Sequence, residues 1–274
     1  MVEDLSVLGR TATAPDSVVR WGTGADDVAD VRLGAGVGAG GDGGGDGGTP
    51  AAGRPLLVMV HGGFWRPEYD RLHVRPMTQA LAAAGWTVAA PEYRRVPGDA
   101  DATCDDVRAA LLSLPAQLLD HHDGRVIVLG HSAGGHLALW AAAAAPAPGL
   151  VGTLALAPVA DLVEADREGL GAGAVEAFLG APAATRPDLD PTRLGAAAGR
   201  LVVLHGTDDE IVPLRQSEAY AAVHRDAVLE AVPDTGHFAL IDPASRAWPR
   251  VIAALDLLGG TAPAREAGQG PRDT

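Results

Sequence analysis

An apolar run at residues 126–129 passes directly into Gly130-His131-Ser132-Ala133-Gly134, so a buried strand must turn sharply with a serine held at the apex. Such a turn is sterically demanding. Gly130 and Gly134 let the backbone reverse without side-chain collisions, and Gly135 extends that tolerance into a following helix. A strand that turns straight into a helix is the start of a βαβ crossover, and repeated crossovers build parallel sheets with helices on both faces. The same turn aims the Ser132 hydroxyl away from the sheet, as a nucleophile elbow does. The competing reading is that Ser132 merely caps the helix beginning at Ala133.

The rest of the chain repeats the alternation. Strand patterns fall at residues 28–33, 56–60, 86–90, 150–157, 201–204 and 228–232, and helical patterns at 74–84, 102–119, 133–145 and 244–258. Pro146 stops the helix that follows the serine. The expected class is α/β, a mostly parallel central sheet with helices on both faces. Reactive groups should sit at the C-terminal strand ends. Residues 1–258 read as one domain. Within it, residues 34–53 are dominated by glycine and read as a flexible surface loop joining neighbouring strands, because they bury too little apolar surface to offset chain entropy. A less regular stretch rich in Gly, Pro, Ala and acids spans 158–199, and residues 259–274 read as a disordered tail.

Composition removes several classes of function. The 274 residues carry a formal charge of −14 and contain no lysine, so no basic stripe exists to neutralise phosphates and a nucleic-acid partner is not expected. Cys104 stands alone, which excludes an internal disulfide, and no Cys/His cluster has the spacing of a metal site. Neither a metal nor a cofactor is therefore expected. Met1-Val2-Glu3-Asp4 lacks a basic start, no apolar signal core follows, and the apolar stretch at 137–145 is far short of a membrane span. The reading is a cytoplasmic protein without a membrane partner.

A serine is a poor nucleophile unless a base takes its proton and donors stabilise the oxyanion. Three further strand ends supply candidates. The strand at 56–60 ends in His61-Gly62-Gly63-Phe64-Trp65, a loop whose backbone amides could bind an oxyanion. The strand at 201–204 ends in His205-Gly206-Thr207-Asp208-Asp209-Glu210, which offers a carboxylate at Asp208 or Asp209. The strand at 228–232 ends in Pro233-Asp234-Thr235-Gly236-His237-Phe238. Of nine histidines, His237 is the one placed one strand beyond the acid, and imidazole titrates near working pH without a large shift. His61 and His205 read as loop histidines bonded to backbone, and His131 and His136 flank the serine and shape its pocket. Tyr93 and Arg94 end a strand near the same face and read as loop support.

Together these residues resemble the α/β-hydrolase fold over nearly all of residues 28–258, and the order Ser132, Asp209, His237 is the triad order of that fold. His61-Gly62-Gly63-Phe64-Trp65 is similar to the loop of the kynurenine formamidase (arylformamidase) group. It also resembles the His-Gly-Gly-Gly loop of hormone-sensitive-lipase-like esterases; the aromatic pair favours the first, as does Arg215-Gln216-Ser217. The resemblance implies Ser132 as nucleophile, His237 as general base and Asp209, rather than Asp208, as the acid that orients the imidazole. It implies an oxyanion hole from the backbone amides of Gly63, Phe64 and Ala133, and a short cap insertion within residues 158–199. The activity implied is cleavage of a small carboxylic ester or N-formyl aryl amide through an acyl-enzyme, with a small-molecule substrate. A peptidase, or a non-catalytic binding protein on the same scaffold, is the alternative.

Overall fold

The computed structural model describes residues 3–35 and 53–260. Among them, eight strands form one sheet in the order β1-β2-β4-β3-β5-β6-β7-β8. These are β1 (Ser17–Arg20), β2 (Val28–Arg32), β3 (Leu56–Val60), β4 (Val88–Pro91), β5 (Val126–His131), β6 (Leu150–Leu156), β7 (Arg200–Gly206) and β8 (Val228–Val232). β1 and β2 run antiparallel at one edge, and every pairing from β4 to β8 is parallel. The helices are α1 (Arg75–Ala83), α2 (Ala100–Gln117), α3 (Ala133–Ala144), α4 (Leu162–Arg167), α5 (Leu170–Leu179), α6 (Arg215–Val223) and α7 (Trp248–Gly259).

Central strands read as continuous apolar runs because both their faces are covered. In β3, Leu56, Val58 and Val60 pack on one side with Val107, Leu111 and Leu114 of α2, while Leu57 and Met59 pack on the other with α1 and α7. The alternation is that of a pleated strand. α7 presents Val251, Leu255 and Leu258 to the second layer, a spacing that keeps all three on one face. Each such side chain contributes roughly 1.5–3 kcal/mol on burial. α3 differs in being apolar all round. Ten of its residues are buried, as expected for a helix running through the interior beneath β5.

Several boundaries depart from the sequence reading. β1, α6 and a short 3-10 turn at Ser6–Gly9 are additional elements. α2 starts at Ala100 because the Asp99 carboxylate accepts the Ala102 amide at 3.1 Å and caps it. The segment expected to join neighbouring strands does not: β4 lies between β2 and β3, so the connection spans strands two places apart. Residues 36–52 of that segment lie outside the described residues, as do 261–274 of the expected tail; Gly259 ends α7. No helix among the described residues is long and apolar enough to cross a membrane.

Candidate active site

Ser132 sits between β5 and α3 with φ 56° and ψ −121°, a left-handed conformation that L residues rarely adopt. The conformation is over-determined by its surroundings. The Ser132 amide donates to the Leu156 carbonyl at 2.8 Å, and its own carbonyl accepts from His136 at 3.0 Å. Its side chain makes no capping hydrogen bond, so the helix-cap reading does not hold. The first turn of α3 presses against the ends of β3: a Cβ on Gly134 would lie 2.1 Å from the Val60 carbonyl oxygen and 2.4 Å from that of His61. Both obstacles are backbone and cannot rotate away. Gly134→Ala is therefore expected to lower stability by about 3 kcal/mol or more, read from the urea midpoint at constant m-value.

β7 and β8 deliver the other two groups. The Asp209 Oδ2 lies 2.7 Å from Nδ1 of His237, and both side chains are almost wholly buried. In the neutral ring Nδ1–H donates to the carboxylate, which leaves Nε2 as a lone-pair acceptor. The other oxygen, Oδ1, accepts the amides of Ile211 at 2.9 Å and Val212 at 2.7 Å. Burial pushes the Asp209 pKa up, but contacts with His205 and His237 and the Val212 amide outweigh it, holding the carboxyl well below the usual range. Asp208 is half-buried, and its carboxylate accepts the Thr207 hydroxyl instead. Of the two neighbouring carboxylates, Asp209 is the one joined to His237.

His205 is structural. Its Nε2 lies 2.8 Å from the Val212 carbonyl and 3.4 Å from Asp209 Oδ2, so its proton goes mainly to the carbonyl, and Nδ1 lies 2.6 Å from the Ser217 hydroxyl. Arg215-Gln216-Ser217 thereby acquires a physical meaning: Ser217 fixes His205 under the acid loop, and the Gln216 carbonyl oxygen accepts the Asp161 amide at 2.8 Å.

The loop after β3 carries three successive residues with positive φ: Gly63 at 114°, Phe64 at 52° and Trp65 at 54°. A Cβ on Gly63 would meet the Tyr69 side chain at 2.4 Å, so only glycine fits there. Among the described residues, the Gly63 and Phe64 amides donate to no protein acceptor, and Ala133 opens α3, where amides have no partner within the helix. The loop rests on a polar support. His61 Nε2 lies 2.8 Å from Glu92 Oε1, the Tyr93 hydroxyl donates to the His61 carbonyl at 2.8 Å, and the two rings stack at 4.3 Å. Burial raises the Glu92 pKa, but its hydrogen bond with His61 and neighbouring cations bring it down to about 2. Trp65 turns inward and stacks on Phe178 at 4.5 Å. Tyr93 supports the loop; Arg94 points elsewhere, paired with Asp106 at 2.6 Å.

Ser132, His237, Gly63 and Phe64 line one cavity of about 230 Å³. Its other walls are Leu5, Leu8, Tyr69, His73, His131, Ile211 and Phe238. None of the 158–199 stretch, expected as a cap, lines it; α5 reaches it indirectly, through Gly171 packed against the Phe64 ring. Ile211 and Phe238 adjoin motif residues and were within reach of sequence reasoning. Leu5 and Leu8 carried no such signal, since nothing in the short segment before β1 marks where it folds back. A wider cleft of about 590 Å³ at Trp21, Arg94 and Asp106 contains none of the motif residues.

His131 and His73 line the cavity and His136 packs against Trp65, all three as neutral rings. Burial lowers all three pKa values, to about 4 for His73 and His136 and well below the ordinary value for His131, where His237 adds to the effect. In the unfolded chain these rings protonate near pH 6.5. Their contribution to stability is thus complete above about pH 6.5 and is lost as pH falls towards about 4. The urea midpoint is expected to fall over that window. His136→Gln, which removes one buried titrating ring, should give a shallower fall.

Known proteins resemble this chain in sequence and in shape. The sequence model of the BD-FAE family matches residues 49–223, which include Ser132 and Asp209 and end before His237. The Mycobacterium tuberculosis protein "Esterase LipQ" is 28% identical over 238 residues, which cover 77% of this chain and 56% of LipQ; the chain thus spans little more than half of that relative's length. Esterase B from Lactobacillus rhamnosis, in a structure with a tributyrin phosphonate, superposes with TM-score 0.72 at 19% identity over 91% of this chain and 88% of that one. The Thermogutta terrifontis esterase Est2 gives TM-score 0.66 at 20% identity over 94% and 99%. These likenesses establish the α/β-hydrolase fold.

Proposed function

The chain belongs to the BD-FAE family, and we propose that it is a serine hydrolase cleaving small carboxylic esters, with Ser132, His237 and Asp209 as its triad. The observation that carries this reading is the 2.7 Å contact of Asp209 with His237 Nδ1, in a cavity shared with a serine held at positive φ. The esterase names of LipQ and of the structural neighbours support the substrate class.

In the proposed reaction, His237 Nε2 takes the Ser132 proton as Oγ bonds to the ester carbonyl carbon. The carbonyl π pair moves onto oxygen, where the amides of Gly63, Phe64 and Ala133 receive it. Each donor of this type is typically worth on the order of a hundredfold or more in rate. Collapse re-forms the carbonyl and breaks the bond to the alkoxy oxygen, which leaves with the proton held on His237. Water repeats the sequence on the acyl-enzyme, releasing the acid and restoring Ser132. Asp209 stays ionised throughout and stabilises the imidazolium.

The small apolar cavity favours short substrates, since pockets for drug-sized ligands typically measure roughly 300–1,000 Å³. N-formyl aryl amides are the second substrate class, favoured by the similarity of His61-Gly62-Gly63-Phe64-Trp65 to the kynurenine formamidase loop. Purified protein tested on p-nitrophenyl acetate, butyrate and octanoate, and on N-formyl anilides, separates the two. Ester turnover with the highest kcat/KM on the short chains is the expected result. Turnover confined to formyl amides would replace the ester reading, and absence of both would overturn the hydrolase assignment.

A further inference from the structure

Residues 3–10 lie across the mouth of the cavity and are fastened at both ends. The Glu3 carboxylate accepts the Phe238 amide at 3.0 Å and sits so close to the preceding turn that a Cβ on Gly236 would lie 2.7 Å from it. Glu3 therefore touches both neighbours of His237. At the other end, Arg10 pairs with Asp242 at 2.7 Å. Between them the 3-10 turn buries Val7 in the layer containing Val74, Met77 and Leu240. Its remaining apolar side chains, Leu5 and Leu8, are 54% and 37% exposed, yet both line the cavity together with Phe64 and Phe238. Two leucines left in water beside the candidate nucleophile, on a segment anchored by charge and by a buried valine, form an apolar surface that a bound chain would cover.

We propose that this strap is the distal wall of the substrate site, and that Leu5 and Leu8 limit the length of the apolar chain of the ester. The inference rests on the ester-hydrolase reading given above. Removing the two side chains lengthens the cavity without touching the triad, and a larger side chain at position 8 shortens it. One methylene in an apolar pocket is typically worth about tenfold or more in discrimination.

The test measures kcat/KM for p-nitrophenyl acetate, butyrate and octanoate in the unmodified protein, in Leu5→Ala/Leu8→Ala and in Leu8→Trp. Fluorophosphonate labelling of Ser132 and the melting temperature are followed in each. The double variant is expected to raise the octanoate-to-butyrate ratio about tenfold, and Leu8→Trp to lower the butyrate-to-acetate ratio by a similar factor, with labelling retained. Glu3→Ala, which frees one end of the strap, should relax the preference as the double variant does, and Glu3→Gln, which keeps an acceptor for Phe238, should not. Ratios unchanged within about twofold in properly folded, labelled variants would overturn the role of the strap alone. An unmodified protein that neither turns over acetate nor accepts the label would overturn the hydrolase reading and this inference with it.

Discussion

Ser132→Ala is expected to abolish ester turnover, with a loss on the order of a million-fold in kcat, and to eliminate fluorophosphonate labelling while the melting temperature changes little. The size follows from removing the only atom proposed to bond to the substrate; what remains is binding and the oxyanion amides. The structural cost is small because the Ser132 hydroxyl makes no capping hydrogen bond and the turn is held by the backbone bonds to Leu156 and His136. Alanine carries the same Cβ as serine, so the substitution adds no steric demand at this positive-φ position. Comparable activity in the alanine variant would remove Ser132 from the chemistry.

The second large effect concerns two adjacent carboxylates. Asp209→Asn should leave the fold intact and lower kcat by about ten-thousandfold. The amide oxygen can still accept from Ile211 and Val212, but the NH2 would face the Nδ1–H of His237. The imidazole relieves that clash by moving its proton to Nε2, where it can no longer accept from the serine. Asp208→Asn should change kcat less than about twofold, because that side chain engages Thr207 rather than His237. Steady-state kinetics on the two variants decides the matter, and the reverse pattern would exchange their roles. Since Asp209 is held well below the usual carboxylate range, it remains ionised at mildly acid pH, and activity lost there has to arise from protonation elsewhere.

The parts of this structure legible in the sequence were those governed by local rules. β3 and β5 are buried on both faces and so read as unbroken apolar runs, and the glycines around Ser132 announced a turn that only small residues tolerate. Asp208 and Asp209 could be separated only through a family resemblance, because both sit in the same loop and the choice is made by a ring 28 residues away. β1 was hidden for another reason: an edge strand with an exposed, short pattern carries no burial signal. The position of Leu5 and Leu8 depends on a salt bridge spanning 232 residues and on a carboxylate meeting an amide 235 residues distant. No local pattern encodes such contacts. The 158–199 stretch shows the converse, since the fold resemblance suggested a cap there, whereas none of it lines the cavity and α5 packs Val175 and Phe178 into the core.

Asp209 has anchors that do not depend on His237: the amides of Ile211 and Val212 on one oxygen and the ring of His205 near the other. A carboxylate seated that firmly waits in place whether or not an imidazole is present. The apparatus is thus built from the acid outward, and the turn bearing His237, itself tied to the acid loop by the bond from the Asp208 amide to the Thr235 carbonyl, brings its ring to an oxygen already in position.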